Sequence, residues 1–241
     1  MLFLLKENAI IVADVHYDIE YRKDDFENLI SKLEKNPPPQ LILLGDIFDL
    51  LFGNVKYTKI RNSQMIQRID DLHNRVEIIY FEGNHDFNLK SIFKNIKIIP
   101  IYQQPFLMKW QNYDILFSHG DYSIKGFFYF YRRFIGNSYV LKTLNLIDIL
   151  VQNRLIKYLE KNQRKKRKCY KIERFKDIIE LKLKNIQSNF FIDGHYHQGK
   201  RFNINNINYI NTFSFACNQT YFIVKSKDNS IFFKSISLKD F

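Results

Sequence analysis

The chain has 241 residues, enough for one domain with a substantial core, and we expect a single domain over residues 1–241 with a helical cap insertion at about 124–170. A hydrophobic content of 46% excludes a disordered chain, and no apolar stretch reaches the length of a membrane span. The formal net charge of +12 indicates an anionic partner, such as a phosphorylated metabolite, nucleic acid or an acidic membrane surface, unless it reflects only a lysine-rich composition.

The apolar run at residues 1–5 is too short for a signal peptide, so we expect a protein that is soluble or attached only to a membrane surface. The two cysteines, Cys169 and Cys217, show no paired spacing. They predict neither a disulfide framework nor a zinc site, which is compatible with a reducing cytoplasm.

The first part of the chain alternates apolar runs with helical patterns. Apolar runs predict buried strands at residues 9–13, 41–44 and 76–81. Apolar side chains at helical spacing predict a helix over 24–35, which the prolines at 37–39 end, and a polar helix follows over roughly 60–74.

Strands dominate the later part of the chain. Further strands are predicted at residues 96–101, 114–117, 189–192, 209–215, 220–224 and 231–236. This arrangement is typical of an α/β protein with two packed mixed β-sheets flanked by helices. In α/β folds, ligands collect beyond the carboxyl ends of the strands.

Residues 124–185 interrupt this pattern because they contain no strand-like run. The segment holds an aromatic run at 127–134, an apolar helical stretch at 139–159 and a basic run at 161–168, and its last helix would place Ile172, Phe175, Ile178, Ile179 and Ile186 on one side. We interpret the middle of the segment as a helical cap with apolar and cationic surface. Alternatively, the aromatic side chains are the core of the cap and the basic run is a solvated loop.

Side chains that can bind metals follow five of the predicted strands. They are Asp14 and His16, Asp46 and Asp49, Asn84 and His85, His119, and His195 and His197. Each piece alone is compatible with a turn or a helix cap, but their repetition at successive strand ends predicts a shared site. Residues two apart on an extended chain point to the same side, so the Asp-x-His and His-x-His pairs can each turn two groups toward one place. Imidazole and carboxylate ligands suit Mn, Fe or Zn, and the set is large enough for two ions.

Together these residues carry a resemblance to a known family. The motifs Asp14-x-His16, Gly45-Asp46-x-x-Asp49, Gly83-Asn84-His85-Asp86, His119 and Gly194-His195-x-His197 resemble, in order, the five motifs of the calcineurin-like metallophosphoesterases. The resemblance implies an αββα sandwich and a binuclear site. It implies that one ion is held by Asp14, His16, Asp46 and His197, and the other by Asp46, Asn84, His119 and His195. His85 would be a catalytic group beside the metals, and Asp49 would orient it.

Two such ions can clamp a phosphoryl group and activate water for attack on phosphorus, so no Ser, Cys or Lys nucleophile is needed. If it is protonated, His85 can stabilise the transition state or protonate the leaving oxygen.

Within that family, the motifs and the predicted cap most resemble the UDP-2,3-diacylglucosamine pyrophosphohydrolases of lipid A biosynthesis. The resemblance implies hydrolysis of a phosphoanhydride to UMP and 2,3-diacylglucosamine 1-phosphate. It also implies Mn²⁺, with Fe or Zn as alternatives, and a cytoplasmic protein that is peripheral on the inner membrane. In much of this branch an arginine stands where this chain has His85. The cations proposed to bind substrate are Arg132, Arg133, Arg164, Lys165 and Lys168.

Two alternatives remain open at this point. The net charge of +12 also fits a metal-dependent enzyme that cleaves nucleotide or nucleic-acid phosphodiesters. A metal-free interaction scaffold on the same fold is disfavoured because no ligand position is missing. No protein partner is indicated.

Overall fold

Short strands joined by helices and loops make up the chain. The computed structural model describes residues 3–21, 23–121 and 137–240. The strands in these ranges are β1 (Ile10–Val12), β2 (Gln40–Leu44), β3 (Leu51–Phe52), β4 (Glu77–Phe81), β5 (Asp86–Phe87), β6 (Lys97–Ile99), β7 (Phe106–Trp110), β8 (Tyr113–Ser118), β9 (Phe190–Asp193), β10 (Arg201–Ile204), β11 (Ile207–Asn211), β12 (Thr220–Lys227) and β13 (Ser230–Ser237). The helices are α1 (Asp24–Lys35), α2 (Lys56–Arg61), α3 (Ser63–His73), α4 (Ser138–Leu150), α5 (Arg154–Lys165), α6 (Phe175–Leu183) and α7 (Phe215–Asn218).

The N-terminal strands form the parallel centre of a six-stranded sheet of order β13-β12-β1-β2-β4-β6. Leu41 of β2 pairs with Ile10 on one side and with Ile78 on the other, both in parallel register. These strands are apolar and buried on both faces, as parallel strands covered on two sides usually are. On the far side of β1, strand β12 pairs antiparallel with β1 and with the edge strand β13.

A second sheet has five strands in the order β10-β11-β9-β8-β7. Its centre is parallel, because β9 pairs in parallel with both β8 and β11. A separate pairing of β3 with β5 places Leu51 opposite Asp86. That pairing ties the loop after β2 to the loop after β4.

The two sheets pack face to face through apolar side chains, which include Ile11 and Ile79 of the first sheet and Phe117 and Ile192 of the second. Helices α1 and α3 cover the outer face of the six-stranded sheet, and α6 covers the outer face of the five-stranded one. The predicted α/β fold, with two packed mixed sheets flanked by helices, is therefore confirmed.

Several predicted boundaries differ from the structure. The helix predicted over 60–74 is two helices, α2 and α3, and the helix predicted over 139–159 is divided into α4 and α5. Gln152 and Asn153 separate α4 from α5 with left-handed φ angles of 58° and 61°. The strand predicted over 209–215 ends at Asn211, and α7 begins four residues later. Apolar periodicity alone did not reveal these backbone reversals.

The cysteine prediction was wrong, because Cys169 and Cys217 form a disulfide. The two residues are 48 positions apart, so sequence spacing gave no sign that the fold brings them together. Tertiary proximity of this kind depends on the path of the chain after α5 rather than on a local motif.

Helices α4 and α5 lie within the range predicted for the helical cap. The aromatic run at 127–134 lies outside the described residues. None of the helices within the described ranges is long and apolar enough to cross a membrane.

Candidate metal centre

Five loops at the carboxyl ends of parallel strands meet at one edge of the sandwich. The side chains that they bring together are Asp14 and His16 after β1, Asp46 and Asp49 after β2, Asn84 and His85 after β4, His119 after β8, and His195 and His197 after β9. The sheets determine this convergence, because neighbouring parallel strands end side by side.

Left-handed backbone conformations turn the ligands inward. Five proposed ligands have positive φ angles, namely Asp14 (51°), His16 (49°), Asp46 (51°), His195 (64°) and His197 (58°). Such conformations are uncommon for residues other than glycine and concentrate at functional sites. Asp14 and His16 therefore converge through a turn, and so do His195 and His197. The expectation that alternation along an extended strand would align each pair was wrong.

The first candidate ligand group contains Asp14, His16 and His197, whose donor atoms lie within 4.8 Å of one another. Nε2 of His197 is 3.2 Å from Asp14 Oδ1, and its Nδ1 is 2.6 Å from the carbonyl oxygen of Lys168. Since a carbonyl oxygen can only accept, Nδ1 of His197 carries a proton, and Nε2 faces the site.

The second candidate group contains Asp46, His119 and His195, again within 4.8 Å. Nδ1 of His119 lies 3.1 Å from the carbonyl oxygen of Leu44, and its Nε2 lies 3.4 Å from Asp46 Oδ2. The amide oxygen of Asn84 is 3.4 Å from the same Nε2. The four residues that the family resemblance implies for this ion are thus together.

Asp46 lies between the two groups. It belongs to the second group and also to a cluster with His16 and His85. Its Oδ1 accepts a hydrogen bond from the backbone N–H of His85 at 2.9 Å, and its Oδ2 faces His119. This position is suitable for a carboxylate that bridges two ions.

Burial and opposite charges set the protonation of these groups. Burial acts to raise the pKa of Asp46, but His119 and His85 beside it bring that pKa well below its ordinary value. Burial acts to lower the pKa of His119, yet Asp46 raises it well above the ordinary value. Burial lowers the pKa of His16 to about 4, so its ring is neutral near pH 7 and can bind a metal.

These residues fit two divalent ions. Nε2 of His16 is fully buried and has no hydrogen-bond partner among the described residues, a costly state that a bound ion would relieve. His119 and His197 each hold Nδ1 against a backbone carbonyl and keep Nε2 toward the carboxylates, as metal-binding imidazoles usually do. Imidazole, carboxylate and amide donors together suit Mn, Fe or Zn.

His85 is held mainly by the main chain of Asp49. Its Nδ1 lies 2.7 Å from the Asp49 carbonyl oxygen but 3.8 Å from the Asp49 carboxylate. The carboxylate instead contacts Lys168 Nζ at 2.5 Å and His16 Nδ1 at 3.3 Å. Asp49 thus contacts His85, as the resemblance implies, and its carboxylate also supports the ligand His16.

The predicted substrate-binding cations separate into different environments. Lys168 is buried at the metal centre, where its Nζ also lies 3.2 Å from His16 Nδ1. Arg164 is engaged elsewhere, because its guanidinium contacts Asp18 at 2.6 Å and Glu20 at 2.9 Å. Lys165 is exposed at the end of α5. Arg132 and Arg133 lie outside the described residues.

Asp86 is a supporting residue to which sequence reasoning gave no role. Its carboxylate accepts hydrogen bonds from the backbone N–H groups of Asp46 (3.0 Å), Ile47 (2.6 Å), Phe48 (3.3 Å) and Gly83 (2.9 Å) and from the hydroxyl of Tyr80 (2.6 Å). It therefore fixes the loop of the proposed bridging ligand against the loop of Asn84 and His85. An acid inside the third motif was the only sequence signal for this role.

Close packing of the loops requires glycine at two motif positions. A Cβ atom at Gly83 would collide with the backbone nitrogen and carboxylate of Asp46. Gly45 has a φ of 79°, and a Cβ atom there would collide with the ring of His119. These contacts explain why both motifs need a glycine beside the metal-binding residues.

Comparison with known proteins gives one family. The sequence model described as calcineurin-like phosphoesterase matches residues 8–198. No curated protein matches the chain.

Solved structures that resemble the chain include an archaeal phosphodiesterase, with 12% identity, coverage of 95% of this chain and 99% of that chain, and a TM-score of 0.48. Yfce, a phosphoesterase from E. coli, has 12% identity, coverage of 96% and 100%, and a TM-score of 0.45. A conserved protein from Streptococcus pneumoniae TIGR4, itself a predicted phosphoesterase, has 12% identity, coverage of 98% and 92%, and a TM-score of 0.43.

Proposed function

Since the chain belongs to the calcineurin-like phosphoesterase family and is a metal-dependent phosphoester hydrolase, we propose that its substrate is UDP-2,3-diacylglucosamine. The products are UMP and 2,3-diacylglucosamine 1-phosphate, as in lipid A biosynthesis. The proposed cofactors are two Mn²⁺ ions, with Fe or Zn as alternatives.

The observation that carries this proposal is the pairing of exposed apolar helices with a buried lysine at the metal centre. Helices α4 and α5 expose large apolar side chains, namely Leu144, Leu146, Ile147, Ile149, Leu150, Leu155 and Leu159. The chain that continues from α5 brings Lys168 against the metal-binding loops. An acylated sugar nucleotide can bind to both features. Its acyl chains can cover the apolar surface of α4 and α5, and its diphosphate attracts the Lys168 ammonium group.

The two ions and His85 have different roles in the proposed reaction. When bound, the two ions would polarise the phosphoryl group and supply activated water. The proton on His85 Nδ1 is held by the Asp49 carbonyl, and Nε2 of the same ring lies 3.9 Å from Asp46 Oδ2, beside the ligand groups. A protonated His85 can therefore give a proton to the leaving phosphate oxygen from Nε2.

The proposed location is the cytoplasm, with the cap on the inner-membrane surface. The apolar faces of α4 and α5 and the exposed cations Lys165, Lys166 and Arg167 are suited to an anionic lipid surface. The partner is thus the lipid-linked nucleotide and its bilayer, and no protein partner is proposed.

A second candidate is a nucleotide or nucleic-acid phosphodiesterase. The net charge of +12 favours it, because basic surface binds a phosphate backbone without sequence preference.

Turnover by the Mn²⁺-loaded protein separates the candidates. We expect release of UMP from UDP-2,3-diacylglucosamine and much slower release from UDP-glucosamine, the matched substrate without acyl chains. Equal rates on these two substrates would contradict the role of the apolar helices. Cleavage of oligonucleotides without cleavage of the acylated substrate would favour the second candidate.

A further inference from the structure

A disulfide lies beside the metal centre and joins two distant parts of the chain. Cys169 belongs to residues 166–172, here called the return segment, which runs without regular secondary structure from the end of α5 toward α6. Its partner Cys217 lies in α7. At the start of α7, the Ala216 N–H and the Ser214 hydroxyl both donate to the carbonyl oxygen of Asp14, at 3.1 and 3.0 Å. The disulfide therefore fastens the return segment to backbone that contacts a proposed metal ligand.

Lys168, which precedes Cys169, contacts the metal-binding residues through both its side chain and its main chain. Its Nζ lies 2.5 Å from Asp49 Oδ1 and 3.2 Å from His16 Nδ1. Its carbonyl oxygen lies 2.6 Å from His197 Nδ1. One residue of the return segment thus supports both imidazoles of the first candidate ligand group: His197 directly, and His16 through the Asp49 carboxylate, which lies 3.3 Å from His16 Nδ1.

The sequence around Lys168 raises the free-energy cost of burying its ammonium group at the metal centre. Residues 164–168 are five consecutive cations, and a sixth, Lys171, follows. The Lys168 side chain is only 7% exposed, and removing an ammonium group from water is costly even when it is paired. Repulsion from its neighbours adds to that cost. Gln198 also holds the segment, through Tyr170 O at 3.1 Å and Ile172 N at 2.9 Å, but the disulfide is the covalent restraint next to Lys168.

The disulfide is also open to chemical attack. Cys169 is exposed, Cys217 is partly exposed, and the exposed Arg167 donates from Nε to the Cys169 carbonyl oxygen at 2.7 Å. The disulfide therefore lies at the surface, next to a strongly basic stretch of chain, where a small dithiol can approach it.

We propose that the Cys169–Cys217 pair is a redox-modifiable positioning site for the metal centre. In the disulfide form it holds Lys168 against Asp49, His16 and His197, and reduction by a dithiol releases the return segment. In that reaction one dithiol thiolate attacks a protein sulfur and the second displaces it. The protein S–S bond breaks, two electrons and two protons convert it to two thiols, and the dithiol closes to its own disulfide.

This inference rests on the proposed function, since it describes control of the same centre. In the proposed compartment a permanent disulfide would be unusual, because disulfides are rare in the cytosol and those that occur there are typically transient or redox-sensing. Supporting contacts behind metal ligands typically change metal affinity or activity by 10- to 100-fold when lost. We therefore expect reduction to weaken Mn²⁺ binding by on the order of 10-fold and to lower kcat/KM by a similar factor.

The test compares the oxidised protein, the protein reduced by a dithiol and then freed of reductant without oxygen, and the Cys169→Ser and Cys217→Ser variants. Thiol counting by maleimide labelling and mass spectrometry establishes each state. Mn²⁺ affinity is measured by titration calorimetry, and kcat and KM are measured on the acylated substrate and on bis-p-nitrophenyl phosphate. We expect the reduced protein and both serine variants to share the weaker affinity, and reoxidation to restore only the wild type.

Lys168→Met separates positioning from general stability. In this variant the oxidised protein should already bind Mn²⁺ weakly, and reduction should have no further effect. Lys171→Met, which removes an exposed cation of the return segment, should remain as redox-sensitive as the wild type. Equal Mn²⁺ affinity before and after reduction of the wild type would overturn the proposal, as would undiminished redox sensitivity in Lys168→Met. Absence of hydrolysis by the oxidised protein would contradict only the proposed function, because the Mn²⁺ titrations still decide the redox role.

Discussion

The metal centre and the segments around it are held in place by different means. The ligands follow strands whose pairings are fixed by two packed sheets, and Asp14 and His119 are completely buried. Helices α4 and α5, by contrast, expose large apolar side chains. They join the core through two buried side chains, Leu141 and Ile156, through the ion pairs of Arg164 and, beyond α5, through a disulfide.

This difference indicates that the buried loops determine the reaction and that the cap helices determine which substrates are accepted. Buried loops with support behind each ligand preorganise two ions for phosphoryl chemistry, whatever the substrate. Exposed apolar surface has a free-energy cost in water that a lipid-like ligand or a membrane can remove. Changes in the loops should therefore affect every substrate, and changes in the cap should affect only some.

The largest effect is expected for Asp46→Asn, because the variant removes the negative charge between the two ligand groups. If the transition state loses several kcal/mol of stabilisation by the metals, kcat falls by about 10³-fold or more. Hydrolysis of bis-p-nitrophenyl phosphate and elemental analysis for Mn should show that activity and metal content fall together. Normal activity in this variant would rule out a two-metal reaction.

His85→Ala should lower kcat by on the order of 10²-fold, because a proton donor beside the site is lost. Elemental analysis should still find both metals, since His85 is assigned a role outside the ligand set. If the variant loses one metal, His85 is a ligand, which its cluster with His16 and Asp46 would then explain.

Asp86→Asn should lower Mn²⁺ affinity by on the order of 10- to 100-fold, because it removes the carboxylate that accepts four hydrogen bonds from the ligand loops and one from the Tyr80 hydroxyl. Tyr80→Phe removes only the hydroxyl donor to Asp86 and is the matched milder variant. Titration calorimetry on folded protein should rank Asp86→Asn below Tyr80→Phe and Tyr80→Phe below wild type. Equal affinities in all three proteins would mean that Asp86 does not organise the centre.

Mn²⁺ binding should strengthen as the pH rises through the neutral range. Burial opposes protonation of His119 and His197, but Asp46 and Asp14 raise their pKa values above the ordinary value, so the metal-free protein holds protons there. Those protonated pairs stabilise the metal-free fold at low pH, and this contribution is lost as the pH rises through the raised pKa values.

A bound metal must displace these protons, so affinity should rise by up to about 10-fold per pH unit for each proton released. Calorimetry in buffers with different ionisation enthalpies measures the protons released. A pH-independent affinity would show that the imidazoles are already neutral before the metal binds.

The smallest effect is expected for Arg164→Met in α5. Arg164 forms partly exposed ion pairs with Asp18 and Glu20, and such pairs typically contribute up to about 1 kcal/mol. Hydrolysis of bis-p-nitrophenyl phosphate should therefore stay within about 2-fold of wild type, with a slightly lower Tm. A large rise in KM for the acylated substrate alone would show that Arg164 leaves these pairs to bind it.

The sequence predicted the sheets and the ligand positions because both depend on local signals. Buried strands are continuous apolar runs such as residues 41–44, and their ends carry the metal-binding side chains. Local patterns could not predict which distant groups would meet. The contact of Lys168 with Asp49, the Cys169–Cys217 disulfide and the three hydrogen bonds that Asp86 accepts from the loop after β2 all depend on tertiary packing.

Electron paramagnetic resonance of the Mn²⁺-loaded protein, together with metal counting, tests the binuclear centre most directly. Two ions bridged by Asp46 predict two Mn²⁺ per chain and a magnetically coupled signal, which Asp46→Asn should replace with that of isolated ions or abolish. A wild type that binds one Mn²⁺ per chain, or two Mn²⁺ without magnetic coupling, would contradict a centre bridged by Asp46.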